Sequence, residues 1–155
     1  MANFSKARSF TEFLAVFNNL SVPVGNFGIP RSSMPQIDVD LIPSFMEFLE
    51  DNEVDVEFDR VPANMLSLTQ SEFNKGKVLK LMRAIRRDDE KVKRIFISSD
   101  GYVVDGSHRF IAALNIHRRT PVSVTRINMP IMDILKLTKR FHKARYRNVS
   151  DAKLK

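Results

Sequence analysis

The 155-residue sequence predicts an α+β fold, and three observations carry that prediction. Apolar spacing switches along the chain between the helical stripe and the strict alternation of strands. Ser99-Asp100-Gly101 separates two short apolar runs, a hairpin signal. A hydrophobic content of 43% over this length supports one compact core rather than two domains.

Taken in order, Phe10 to Phe17 has the spacing of a short amphipathic helix. Leu20 to Pro35, with Gly25, Gly28, Pro23, Pro30 and Pro35, reads as an irregular connection. A second helix is expected from about Val39 to Glu50, with Leu41, Ile42, Phe45, Phe48 and Leu49 as its buried stripe. Val54 to Phe58 alternates strictly and predicts a half-exposed strand, with a bend at Pro62. Phe73 to Arg87 predicts a third helix, apolar at Val78, Leu79, Met82 and Ile85 and basic elsewhere. Ile95 to Ile97 and Tyr102 to Val104 are the hairpin strands. Ser107 to Asn115 is a fourth helix, and Pro121 to Ile127 another alternating strand. Pro130 fits the first turn of a last helix running to about His142.

Composition excludes several classes. Without cysteine there are no disulfides, no thiolate catalysis and no Cys-based zinc site. His108, His117 and His142 are too scattered for a metal triad, so no protein-built metal site is expected. The first residues lack the pattern of a secretory signal and no run has the length of a membrane span, so a cytoplasmic protein without a membrane partner is expected. Charge is segregated. Asp38 to Asp59 carries nine acids and no base, and Lys77 to Arg94 carries eight bases against three acids. Lys136 to Lys155 carries eight bases against one acid, a balance of +7 that equals the whole chain's net charge. The basic stretches fit a polyanion such as DNA, with Lys136, Lys139, Arg140, Lys143, Arg145 and Arg147 as candidate contacts, or a solvated face and tail. The acidic block could instead meet the basic helix across a homodimer interface.

The densest chemistry lies at Asp105-Gly106-Ser107-His108-Arg109, between a strand and a helix. A helix start presents unpaired N–H groups and the positive end of the macrodipole, and so receives an anion. Gly106 permits a positive φ and Ser107 is a good N-cap. His108 and Arg109 fall in the first turn, where cations are poorly placed unless they face a bound anion. The alternative is an ordinary corner capped by Ser107, with Asp105 on the turn amides. Adjacent Ser107 and His108 point about a hundred degrees apart on a helix, which argues against a nucleophile-and-base pair.

These residues resemble a known family. Tyr102, Asp105, Gly106, His108, Arg109, Ala112 and Ala113 match the pattern Tyr-X-X-Asp-Gly-X-His-Arg-X-X-Ala-Ala of the ParB/sulfiredoxin superfamily, closest to its phage and bacterial "ParB-like nuclease" proteins. Upstream, Val61-Pro62, Leu66 and Thr69-Gln70-Ser71-Glu72 resemble the Pro-Thr-Gln-X-Glu segment of such proteins. The resemblance covers roughly residues 54–127. It implies a small mixed sheet flanked by helices in a domain over 54–143; outside the resemblance, residues 1–53 are expected to form an N-terminal helical extension packed on the core and 144–155 a basic tail. It implies a nucleotide phosphate held by Gly106, Ser107, His108 and Arg109, with Mg²⁺ and ATP or CTP as cofactors. The chemistry it implies is phosphoryl transfer or NTP or phosphodiester hydrolysis, with Glu72, Asp105 and His108 as catalytic candidates. Glu72 would be the general base if its segment folds over the site; Gln70 could take that position instead, or Glu72 could simply complement a helix dipole. Ser107 stands where sulfiredoxins carry their reactive Cys, which removes the redox branch. The Gly-Ser-His-Arg turn and the short remaining chain depart from the partition proteins, so centromere binding is not expected. The remaining alternative is a non-catalytic DNA- or partner-binding protein using the basic helix and tail.

Overall fold

In a computed structural model of the chain, the described residues are 20–23, 25, 27–70, 72–86 and 94–146. The expected helix over Phe10 to Phe17 lies outside them, as does Arg147 with the rest of the tail. The described chain is α+β. Strand β1 spans Val56–Pro62, β2 Ile95–Ser98, β3 Val103–Asp105 and β4 Pro121–Ile127. Helix α1 spans Ile42–Asp51, α2 Lys75–Arg86, α3 Ser107–Ile116 and α4 Ile131–Thr138.

The strands form one mixed sheet in the order β1-β4-β2-β3. β1 runs antiparallel to β4, β4 parallel to β2, and β2 antiparallel to β3. Consecutive residues of β2 are all buried because both faces of the sheet are covered. On one face Ile95, Ile97, Val103, Val122 and Val124 pack with Val78, Leu79 and Met82 of α2 and Phe110 and Ile111 of α3. On the other, Phe96, Val104 and Ile127 pack with Phe45 and Leu49 of α1 and Ile131, Ile134 and Leu135 of α4. Residues before Val54 therefore form part of the core: Met34, Ile37, Phe45 and Leu49 are all buried in it.

Several boundaries differ from expectation for local reasons. The helix expected from Val39 opens with a 3₁₀ turn, Val39–Leu41, and Pro43 sits in the first turn of α1, where a missing N–H costs nothing. β1 continues through Pro62, paired with Pro121, instead of bending there. It is an edge strand, so proline is tolerated and Glu57 to Arg60 are all exposed rather than alternating. α2 begins at Lys75, because the Asn74 side chain caps it by accepting the Lys77 N–H at 3.0 Å. Pro130 precedes α4 rather than entering it, and the helix ends at Thr138, short of His142.

The hairpin turn supplies the cap that Pro130 cannot. Asp100 accepts the Ile131 N–H at 3.1 Å and also the Ser98 hydroxyl. Asp100→Ala is expected to destabilise the protein by about 1 kcal/mol, read as a lower urea midpoint at unchanged slope. An unmoved midpoint would show that the cap contributes nothing.

Among the described residues no helix is long and apolar enough to cross a membrane.

Candidate functional site

The turn between β3 and α3 is built around Gly106, whose φ of +105° lies in the left-handed region. That φ strains any residue with a Cβ, and a Cβ there would also displace the Arg109 guanidinium, whose Nη2 would lie 2.7 Å away. Gly106, not Ser107, occupies the N-cap position. No side chain caps the helix, and the first helical bond runs from Phe110 N–H to the Gly106 carbonyl. The amides at the start of α3 thus point out of the helix without an intrahelical acceptor.

Ser107 is the first residue of α3 and is buried; its Oγ accepts a hydrogen bond from Arg31 Nη1 at 3.0 Å. Arg31 comes from the irregular connection, which offered no sequence signal for a site, and it is 93% buried. Its backbone N–H donates to Glu72 Oε2 at 2.6 Å. Thr69 and Gln70 line the recess beside the turn, whereas Glu72 is not among its lining residues and is linked to Ser107 only through Arg31. Gln70 is buried and accepts the Glu72 N–H at 2.6 Å. Glycine is needed at position 25 too, where a Cβ would lie 2.5 Å from the Gln70 backbone.

His108 is buried, and its Nε2 accepts the Asn74 N–H at 2.8 Å. That bond ties the start of α2 to the start of α3, so two positive helix ends converge. Burial, reinforced by the charges of Arg31, Lys77 and Arg109, holds the imidazole neutral, with its pKa lowered from 6.5 to about 3. With its Nε2 lone pair engaged, His108 orients the two helix starts; its Nδ1 then carries the proton and is the donor.

Arg109 does not reach outward. Its guanidinium folds back over Gly106, with Nη2 3.4 Å from the Arg94 carbonyl and Nε buried without a hydrogen-bond partner among the described residues. Burial works against its charge and the Asp105 carboxylate supports it. Asp105 also accepts the Ile37 N–H at 3.0 Å, fastening residues 31–37 across the edge of β3.

Between that segment and the turn lies a recess open to solvent, lined among others by Arg31, Gln36, Thr69, Gln70, Asp105 and Ser107. Inside its mouth there is room for about one water molecule. In comparisons with known proteins, no family model, curated protein or solved structure matches the chain.

The candidate polyanion contacts are not gathered at this recess. Lys136 lies on the exposed side of α4, and Lys139, Arg140 and Lys143 are exposed in the turns after it. Arg145 is committed elsewhere, to Asp38 at 2.8 Å. Part of the acidic block is likewise paired within the chain, with Glu57 and Asp59 3.5 and 3.0 Å from Arg126. Among the described residues no group of three His, Asp or Glu side chains could hold a metal ion. A metal here would have to arrive on ligand phosphates and borrow a single carboxylate such as Asp105.

Proposed function

We propose that the turn at Gly106 to Arg109 binds a phosphate group of a nucleotide, and that the chain is a ParB/sulfiredoxin-like protein using that site for phosphoryl transfer or hydrolysis. The observation that carries this reading is Arg31. A buried guanidinium hydrogen-bonded at the first turn of α3 sits where the helix dipole is already positive, with Lys77 and Arg109 adding like charge around His108. Positive charge gathered at a helix start favours an anion there, and a phosphate meets both the first amides of α3 and that charge. In this reading Arg31 brings a fixed positive charge towards the phosphate oxygens, Ser107 a hydroxyl, and the first amides of α3 their N–H groups.

Glu72 is the general base in this reading. It is exposed, with one carboxylate oxygen held by the Arg31 N–H, and in this reading takes the proton of a hydroxyl or water. His108 serves as a positioning residue, because its Nε2 is engaged and its proton affinity is low at neutral pH. Mg²⁺ bound with the nucleotide would neutralise phosphate charge.

A thermal-shift series with pyrophosphate, ATP and CTP, with and without Mg²⁺, tests the reading. At ligand a hundredfold above its Kd, native-state binding adds about 2.7 kcal/mol, a rise of roughly 5–10 °C for a domain of this size. Arg31→Ala is expected to erase the shift. No shift with any of these ligands removes the proposal.

A further inference from the structure

The recess has a wall that the rest of the chain must hold in place. Residues 31–36 supply it, with Arg31, Met34, Pro35 and Gln36 facing the turn. At its start this segment is fastened by Ile29 N–H to the Thr69 carbonyl at 3.3 Å and by Arg31 N–H to Glu72. At its end stand the Ile37 N–H to Asp105 bond and a second attachment from far along the chain. Gln36 and Arg145 form an antiparallel β-bridge, exchanging N–H···O bonds of 2.8 and 2.9 Å. Beside it the Arg145 guanidinium meets the Asp38 carboxylate at 2.8 Å. The residue read from charge alone as a nucleic-acid contact therefore spends both its backbone and its side chain on residues 36 and 38.

We propose that Arg145 is a positioning residue for the recess, the segment after α4 acting as a clasp that keeps residues 31–37 closed against the β3 turn. The proposal rests on the phosphate-binding reading above for its functional consequence. A wall held in its bound geometry before the ligand arrives avoids the entropy of ordering it on binding, which is how a residue that never touches ligand raises affinity. The ion pair alone is modest, because both side chains are partly exposed and screened. The backbone bridge adds two hydrogen bonds to that ion pair.

The full-length chain carries the test, with pyrophosphate as the probe. Asp38→Arg and Arg145→Asp singly are expected to weaken binding by up to about five-fold, the scale of an exposed ion pair, and the double reversal to restore it. Arg145→Pro, which removes the donor to Gln36 as well as the guanidinium, is expected to weaken binding by about ten-fold or more. Amide exchange at Gln36 and Ile37 reads the clasp without any ligand. It should speed up in both single variants and in Arg145→Pro, return to normal in the double reversal, and leave the central strand β2 unchanged. If wild type binds no pyrophosphate while exchange follows this pattern, the phosphate reading fails and the clasp stands as a structural device. Single variants that match wild type in exchange, or a double reversal that rescues neither readout, overturn the clasp.

Discussion

Lowering the pH from 7 to 4.5 is expected to cost this protein about 2–3 kcal/mol of stability through His108 alone. Burial, and then the charges of Arg31, Lys77 and Arg109, hold its folded pKa at about 3, against 6.5 ordinarily. Between those values the unfolded chain binds a proton that the folded chain refuses. Stability attributable to this group is therefore complete above pH 6.5 and is lost as the pH falls, at about 1.4 kcal/mol per unit, until the folded form also titrates near pH 3. The Nε2 lone pair that protonation would consume is the one accepting the Asn74 N–H, so acid also breaks the link between the starts of α2 and α3. His108→Gln offers an amide oxygen to the same N–H and cannot titrate. Urea unfolding of both proteins between pH 7 and 4.5 measures the difference, since His117 and His142 remain in each. A variant that loses stability with pH as steeply as wild type would show that His108 is protonated in the fold.

The elements of the core were legible because burial imposes periodicity. β4 matches its expected bounds, Pro121 to Ile127, with strands on both sides of it, although its alternation breaks at Val124 and Thr125, which are both buried. α1 was visible through Phe45 and Leu49. Ends were less legible, because caps come from outside the element. The Asn74 side chain and the Asp100 carboxylate each terminate a helix through a bond that apolar periodicity does not encode. At the site, the need for glycine at 106 was readable from the strand-turn-helix pattern, but the geometry inverts two expectations. Ser107 is no cap, because the left-handed Gly106 takes that position and frees the hydroxyl for Arg31. Arg109 turns inward, because the missing Cβ of Gly106 leaves space for a guanidinium. Arg31 itself lies 76 residues from Ser107 in an irregular segment, and nothing in its neighbours' spacing marks it. Long-range polar partners are set by the tertiary fold, whereas apolar stripes are set locally.

Phe45→Ala carries the second large effect, an expected loss of roughly 3–5 kcal/mol. Phe45 is fully buried on α1, edge-to-face with Phe96 of β2 and with Phe141, both at 5.3 Å between ring centres. Truncating it removes the transfer energy of the ring and leaves a cavity between α1, the sheet and the segment after α4. The size of the effect bears on domain organisation. Were residues 1–53 an appendage on a core that begins at Val54, the variant would loosen α1 and leave the sheet's unfolding untouched. The packing says otherwise, since without α1 one face of Phe96, Val104 and Ile127 would meet water. The same face holds Met34, which lines the recess, and Ile37 just after its wall, so core and site share one support. Native-state amide exchange at Phe96 and Ile127 separates the two outcomes. Their opening free energies should fall by the same amount as the global value. Unchanged protection there, with loss confined to residues 42–51, would mean that the sheet stands without its N-terminal layer.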